Sequence, residues 1–440
     1  MPPVPIERHT LANGLKVVLS ADNRAPIVAV NFWYDVGSKH EKPGKTGFAH
    51  LFEHMMFQGS ANVEKGQHFS LINAAGGTLN ATTWLDRTNY FETMPSHELE
   101  LALWLEADRM ANLVPAMTQE KLDNQRDVVK NERRWSVDNQ PYGTWDEKLQ
   151  ALLFPESHPY HHSTIGSMED LTAASLEDVT HFFETFYCPN NAVLSIVGDF
   201  EPDAAMTMVE RQFGPIPANP NLPAQPPAEL DTFLLGTEVR EVVPDQVPLP
   251  RIYLAYRIPV FGTSEFDAGE VAADLLATGR ASRLYAALVR RQQLAQDASV
   301  FAFPLSGGAA ILTVWATARP GVEADRLEAA MHVEIDRLRE EGPSADELER
   351  VRNLHDAGVA SALERISERA DRLSMYTQTF DEPERINDEM TRYSEVSGER
   401  VSGFLGGYLR PDNQVVLTYV PAELPPGAAA NDLPAADPAA

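Results

Sequence analysis

Cysteine is almost missing: Cys188 stands alone in 440 residues. One thiol can neither close an internal disulfide nor build a thiolate metal site. In the aromatic run Phe186-Tyr187-Cys188-Pro189 it reads as a buried, inert residue. No apolar run reaches the roughly 18 residues that a bilayer span requires. The opening, Met1-Pro2-Pro3-Val4-Pro5, has no basic stretch followed by an apolar one. The chain therefore reads as cytoplasmic, or as periplasmic if a leader has been removed. Positive charge is scarce too: 36 Lys and Arg face 64 Asp and Glu, a net charge of −28. That balance repels phosphate backbones and argues against a nucleic-acid partner. It suits solubility first, and it would also tolerate or attract basic substrates.

What is present is globular in character, with 43% hydrophobic and 23% charged residues, and the length points to two domains. The β-rich runs 15–19 and 27–34 flank the turn composition Asp22-Asn23-Arg24-Ala25-Pro26 and predict a hairpin. Helical patterns follow at 48–56, 96–112 and 118–135, with a strand at 78–83. Ser175-Leu176-Glu177-Asp178 reads as a capping box opening a helix to about Phe186. The apolar run 191–197 reads as a buried strand. Residues 214–228 hold six prolines and are expected as a stiff, extended linker. Beyond it, strands at 251–256 and 309–316 mix with helices at 265–278, 323–340 and 344–378. The expected organisation is an N-terminal domain over 1–213, a proline-rich linker over 214–235, a C-terminal domain over 236–420 and a disordered tail over 421–440. Pro189-Asn190-Asn191-Ala192-Val193 is echoed by Pro411-Asp412-Asn413-Gln414-Val415, an offset of 411 − 189 = 222. Each copy follows a helix and enters an apolar strand, which suggests two copies of one α/β fold.

Chemistry concentrates in His50-Leu51-Phe52-Glu53-His54. On a helix, positions i, i+3 and i+4 share a face, so both imidazoles and the Glu53 carboxylate project together. Two histidines so spaced can share one Zn²⁺. A carboxylate beside them can take a proton from water at the metal and pass it to a leaving amine. This order, the reverse of His-Glu-x-x-His, is a recognised zinc-peptidase signature. The rest of the helix is apolar (Phe48, Leu51, Phe52, Met55, Met56), and buried polar groups need partners that a metal would provide. A catalytic zinc takes a third protein ligand. Glu132, on a helical segment with Gln125 on its face, is a candidate that spacing alone does not select. The other histidine cluster, His158, His161 and His162, reads as loop and packing residues.

Taken together, Gly47–Ser60 around this motif, Gly76-Gly77-Thr78-Leu79-Asn80-Ala81-Thr82-Thr83, Asp86-Arg87-Thr88-Asn89-Tyr90 and Arg126–Glu132 resemble the pitrilysin or M16 family. They resemble in particular its half-length subunits related to the mitochondrial processing peptidase, and Ser282-Arg283-Leu284-Tyr285 fits a pattern of its second half. The resemblance implies zinc as cofactor, His50, His54 and Glu132 as ligands, and Glu53 as base. The third ligand lies 132 − 54 = 78 positions after the second histidine, within the family's spacing. It further implies that Asn80 and Ala81, continued by Thr82, form an edge strand that holds substrate by β-augmentation, though Asn80 could instead cap Gly76-Gly77. Phe57 matches a hydrophobic substrate pocket. The family often carries a second glutamate where this chain has Gln125, which keeps a hydrogen-bonding group beside the ligand but removes a charge. The family's Arg/Tyr substrate-holding pair is not placed here, and Arg283 and Tyr285 read as structural. The implied fold is α/β (α+β): two homologous domains, each with helices on a mainly antiparallel sheet, forming half of a clamshell. The implied function is a zinc-dependent endopeptidase that cleaves peptides or unfolded segments in a chamber closed by a partner, as a homodimer or with a second M16-type subunit. Two alternatives are a processing protease for basic targeting sequences and a non-catalytic interaction subunit of the same fold.

Overall fold

The computed structural model describes residues 2–422; the expected tail, from 423 on, lies outside them. Eleven strands are present among these residues: β1 (Glu7–Thr10), β2 (Lys16–Ala21), β3 (Ile27–Tyr34), β4 (Thr78–Thr83), β5 (Thr88–Pro95), β6 (Ala192–Gly198), β7 (Val239–Asp245), β8 (Arg251–Ile258), β9 (Ala295–Phe303), β10 (Ala310–Ala318) and β11 (Gln414–Pro421). The helices are α1 (Phe48–Met55), α2 (Gln67–Ala74), α3 (Leu99–Asn112), α4 (Gln119–Arg133), α5 (Trp145–Leu153), α6 (Met168–Ala173), α7 (Leu176–Phe186), α8 (Pro202–Phe213), α9 (Ser264–Ala277), α10 (Ala324–Glu341), α11 (Ala345–Glu364), α12 (Ile366–Phe380), α13 (Glu389–Ser394) and α14 (Gly398–Tyr408).

They form two sheets, ordered β1-β2-β6-β3-β5-β4 and β7-β11-β8-β10-β9. Only β2–β6 and β7–β11 are parallel; every other pairing is antiparallel. Two compact units result, and neither is contiguous in sequence. The first comprises 1–133, 156–228 and 352–395; the second comprises 134–155, 229–351 and 396–440. The proline-rich stretch is shared between them, dividing at Ala228 and Glu229.

The interleaving has a physical cause. In β3 and β6 nearly every residue is buried, as in strands covered on both faces. One face of the first sheet is packed by helices of the same half. The other is packed by α12, from the second half of the sequence, which lies on β3 and β6. Its Ala370, Leu373 and Tyr376 are buried, Ser374 Oγ donates to Ser195 Oγ at 2.8 Å, and Arg369 pairs with Asp22. In return α5, from the first half, packs on β8 and β11 of the second sheet.

The short repeat has the same local role in each unit. Asn191 Nδ2 donates to Phe186 O (2.9 Å) at the end of α7 and to Asp35 O (3.3 Å) after β3. Asn413 Nδ2 donates to Tyr408 O and to Arg257 O, both at 2.8 Å, at the end of α14 and in β8. Each asparagine ties a helix end to the neighbouring strand. The expected capping box opens α7, with Ser175 Oγ accepting from Asp178 N at 3.1 Å.

Candidate metal centre

The helix α1 begins under unusual control. Gly47 precedes it at φ +86°, and a Cβ there would lie 2.7 Å from Ile165 O, so only glycine fits. No adjacent side chain caps the helix. Instead Glu41, six residues upstream, accepts from Gly47 N at 2.9 Å and from Ala49 N at 2.7 Å. A carboxylate at this end satisfies orphan N–H groups and suits the helix dipole. His162 Nε2 lies 3.0 Å from Glu41 Oε2, the oxygen that also accepts from Gly47 N. Burial raises the Glu41 pKa. For His162 burial opposes protonation, but the bond and charge of Glu41, with the Ser38 carbonyl and Asp170, together outweigh it and the pKa rises. His162 thus braces the cap of α1, while His158 Nε2 lies 3.0 Å from Ala228 O.

One turn on, His50 and His54 face Glu132 of α4. His50 Nε2 stands 3.6 Å from Glu132 Oε1 and His54 Nε2 stands 3.3 Å from Oε2. The two rings are nearly perpendicular, 4.9 Å apart. Three ligand atoms, one from each residue, lie within 4.8 Å of one another. A tetrahedral zinc with bonds of about 2.0–2.1 Å sets its donors about 3.3 Å apart, so this donor set fits the ion. Burial, reinforced by the neighbouring His54, pushes the His50 pKa down to about 4, which keeps a lone pair available. For His54 burial works against the cation, yet Glu132, Glu53 and Gln125 together outweigh it and the pKa rises. The bond to His54 lowers the pKa of Glu132. Gln125 is buried on the same helix, and its side chain reaches His54.

Glu53 projects beside this triad and not into it. Its Oε2 accepts from Thr83 Oγ1 at 2.5 Å, and burial raises its pKa. Thr83 is the last residue of β4, the free edge of the sheet. Trp84 N donates to Arg87 O; from that pair the ladder alternates, so Asn80 and Thr82 bond β5 while the main chain of Ala81 and Thr83 turns outward. Asn80 Oδ1 accepts from Ala81 N at 2.9 Å. The glycines have other partners, Gly76 N donating to Asn73 O and Gly77 N to Ile72 O. Phe57 is half-buried against Phe69 (4.8 Å) and Tyr90 (5.9 Å), with the Arg109 guanidinium 5.2 Å from its ring. Beneath that ring His68, Glu92 and Glu106 converge in full burial. Arg109 already supplies a cation there, with Nε donating to Glu106 at 3.0 Å.

The sequence assigns no role to Thr83 or Glu41 and gives His162 only a loop and packing one. Strand alternation held the signal for Thr83, which shares a face with the buried Ala81. Nothing local marks Glu41 or His162, whose roles exist only in the folded chain.

The family model described as insulinase (peptidase family M16) matches residues 16–157, and the one described as peptidase M16 inactive domain matches 173–354. A zinc protease of Helicobacter pylori, PqqE, is 30% identical over 373 residues, 82% of this chain and 81% of that protein. The chain belongs to the M16 peptidase family. A probable mitochondrial-processing peptidase subunit beta of Arabidopsis thaliana is 26% identical over 269 residues, 61% of this chain and 49% of that one. The crystal structure of a protease from Helicobacter pylori superposes with a TM-score of 0.89 at 26% identity, covering 95% of this chain and all of that one. In this M16 chain Arg283 is held by Glu347 (2.8 and 2.9 Å) and Gly342 O (2.8 Å), and Tyr285 opens a wide helical turn to Arg291. No helix among the described residues is long and apolar enough to cross a membrane.

Proposed function

We propose that this M16 chain is a zinc-dependent endopeptidase, with His50, His54 and Glu132 holding the metal and Glu53 acting as general base. The carrying observation is the placement of Glu53: beside the donor triad, outside it, and hydrogen-bonded to the free edge strand. Zinc held by these donors supplies Lewis acidity toward a peptide carbonyl and toward water. An extended substrate adds to β4 through the outward main chain of Ala81 and Thr83, displacing the Asn80 side chain from Ala81 N. Glu53 then takes the proton of the attacking water and returns it to the leaving amine. Phe57 offers an apolar surface to a neighbouring substrate side chain, and Gln125 orients His54.

The likeness to a protein named as a processing-peptidase subunit favours a second reading of the substrate, as a basic targeting sequence, and favours pairing with a second M16-type subunit or a second copy. The test is cleavage of quenched, unstructured peptides, basic and neutral, by the zinc-loaded chain and by its Glu53→Gln variant. Chelator-sensitive cleavage that Glu53→Gln abolishes while retaining zinc is expected; turnover by that variant would sink the mechanism. A preference for basic peptides would select the second reading. Zinc bound without cleavage by the chain alone would assign it to a heteromeric complex.

A further inference from the structure

The face of the first sheet turned away from α1 carries a chain of polar contacts that ends on the edge strand. Asp371 of α12 sets one carboxylate oxygen, Oδ1, against three donors: Trp33 Nε1 and Asn89 Nδ2 at 2.8 Å, and Asn31 Nδ2 at 3.2 Å. Asn89 passes the connection on, its Oδ1 accepting from Thr82 Oγ1 at 2.6 Å and from Arg87 Nη1 at 3.1 Å. Arg87 Nη1 also donates to Thr82 O at 2.9 Å and to the Thr82 hydroxyl. Its guanidinium lies 4.9 Å from the Trp33 ring. The next residue, Thr83, points to the opposite face and holds Glu53.

We propose that Asp371 is a positioning residue for the M16 site, fixing the register and height of β4 through Asn89, Arg87 and Thr82. Asn89 is buried and its amide has two ends with opposite needs. With Asp371 taking the Nδ2 end, the Oδ1 end is fixed toward Thr82 and Arg87. Without that carboxylate the Nδ2 end loses its acceptor, the amide is held only at its Oδ1 end by Arg87 and Thr82, and the brace on β4 loses its anchor to α12. An edge strand has ladder bonds on one side only, so its position depends on such braces more than that of a central strand. Both the base and the substrate ride on β4, and misplacement of reacting groups by about 1 Å can cost about a hundredfold in rate. The position of α12 does not itself depend on Asp371, because Arg369–Asp22, Ser374–Ser195 and Arg372–Glu389 anchor it independently.

This inference rests on the proposed peptidase reading for its kinetic consequence, though not for its structural one, and the test keeps the two apart. Zinc-loaded full-length chain is compared with Asp371→Ala, Asp371→Asn, Asn89→Ala and the double variant Asp371→Ala/Asn89→Ala. Hydrogen exchange over residues 78–83, zinc content, kcat and KM are read for each. Asp371→Ala is expected to keep zinc, to speed exchange over 78–83 and not in β6, and to lower kcat about tenfold, inside the range for misplaced reacting groups. Asp371→Asn keeps an acceptor oxygen and restores most of both. The double variant is no worse than the worse single one. Unchanged exchange over 78–83 in Asp371→Ala, an equal rise throughout the unit, or additive losses in the double variant would each overturn the proposal. If the unaltered chain alone cleaves no peptide, the kinetic arm falls away, whether the peptidase reading fails or a partner is required, and exchange alone decides the role of Asp371.

Discussion

The two units share a strand plan and differ in what the helix after the first central strand is asked to do. In the second unit that helix is α9, fourteen residues long, capped by its own Thr263, whose side chain accepts from Phe266 N at 3.2 Å. Its buried face is apolar and so close to α14 that a Cβ on Gly269 would lie 2.7 Å from the Phe404 ring. In the first unit the helix is α1, eight residues long, capped from a distance by Glu41 and carrying two imidazoles and a carboxylate. Of the 12 histidines in the chain, the second unit holds only His332. The comparison teaches that one scaffold is used twice, once to pack and once to hold polar groups whose burial is costly unless a partner meets them.

The widest separation between the units should come from the ligands. His54→Ala is expected to abolish zinc binding and peptide cleavage together, while His332→Ala leaves both unchanged; metal content after dialysis reads the difference. Loss of zinc from His332→Ala would erase the contrast. Next come the two helix caps. Glu41→Gln weakens a charged cap that sets the direction of α1, and a fall in zinc affinity of about 10–100-fold is expected, as for other groups that orient metal ligands. Thr263→Ala removes an ordinary cap and should cost about 1 kcal/mol of stability with zinc affinity untouched. Competition with a chelator of known affinity and thermal unfolding separate the two. Smaller again is Thr83→Val, which keeps shape and removes the hydroxyl on Glu53. Here kcat should fall about tenfold, the scale of one hydrogen bond to a charged group, with zinc retained and Thr83→Ser restoring the rate.

These effects also mark what could be read from the chain. The His50, Glu53, His54 arrangement was legible because helical spacing alone brings those positions to one face. Glu132 was legible only through family resemblance, since a separation of 78 residues closes in three dimensions. Asp371 was not legible at all, because no local pattern announces that α12 crosses back onto β3 and β6. The buried runs of those strands did signal two covered faces, without saying which helix covers the second. The run 344–378 reads as one helix, yet the chain breaks at Arg365, which has extended backbone angles (φ −84°, ψ 124°) between α11 and α12. The edge strand β7 escaped notice because its residues alternate between exposed and half-buried, with Pro244 inside it. An edge tolerates that proline where a central strand would not.

Acid should sharpen the comparison least, but with a defined sign. Burial pushes the His40 pKa down to about 4 and that of His68 down to about 3, and both belong to the first unit. In the unfolded chain a histidine titrates near 6.5. Between about pH 6.5 and pH 4 the unfolded state therefore binds protons that these folded imidazoles refuse, and stability falls as pH falls. Burial of Glu92 and Glu106 raises their pKa values and acts in the opposite direction, so the unaltered chain shows only the balance. A variant isolates one group: His40→Gln keeps a side chain able to meet Gln225, which His40 Nε2 approaches at 3.1 Å, and removes the titration. Its unfolding midpoint in denaturant should match that of the unaltered chain at pH 7.5 and exceed it progressively from pH 6 to pH 4.5. Parallel acid limbs for the two proteins would show that His40 takes its proton in the folded state as readily as in the unfolded one, and that burial beside Phe186 does not hold it neutral.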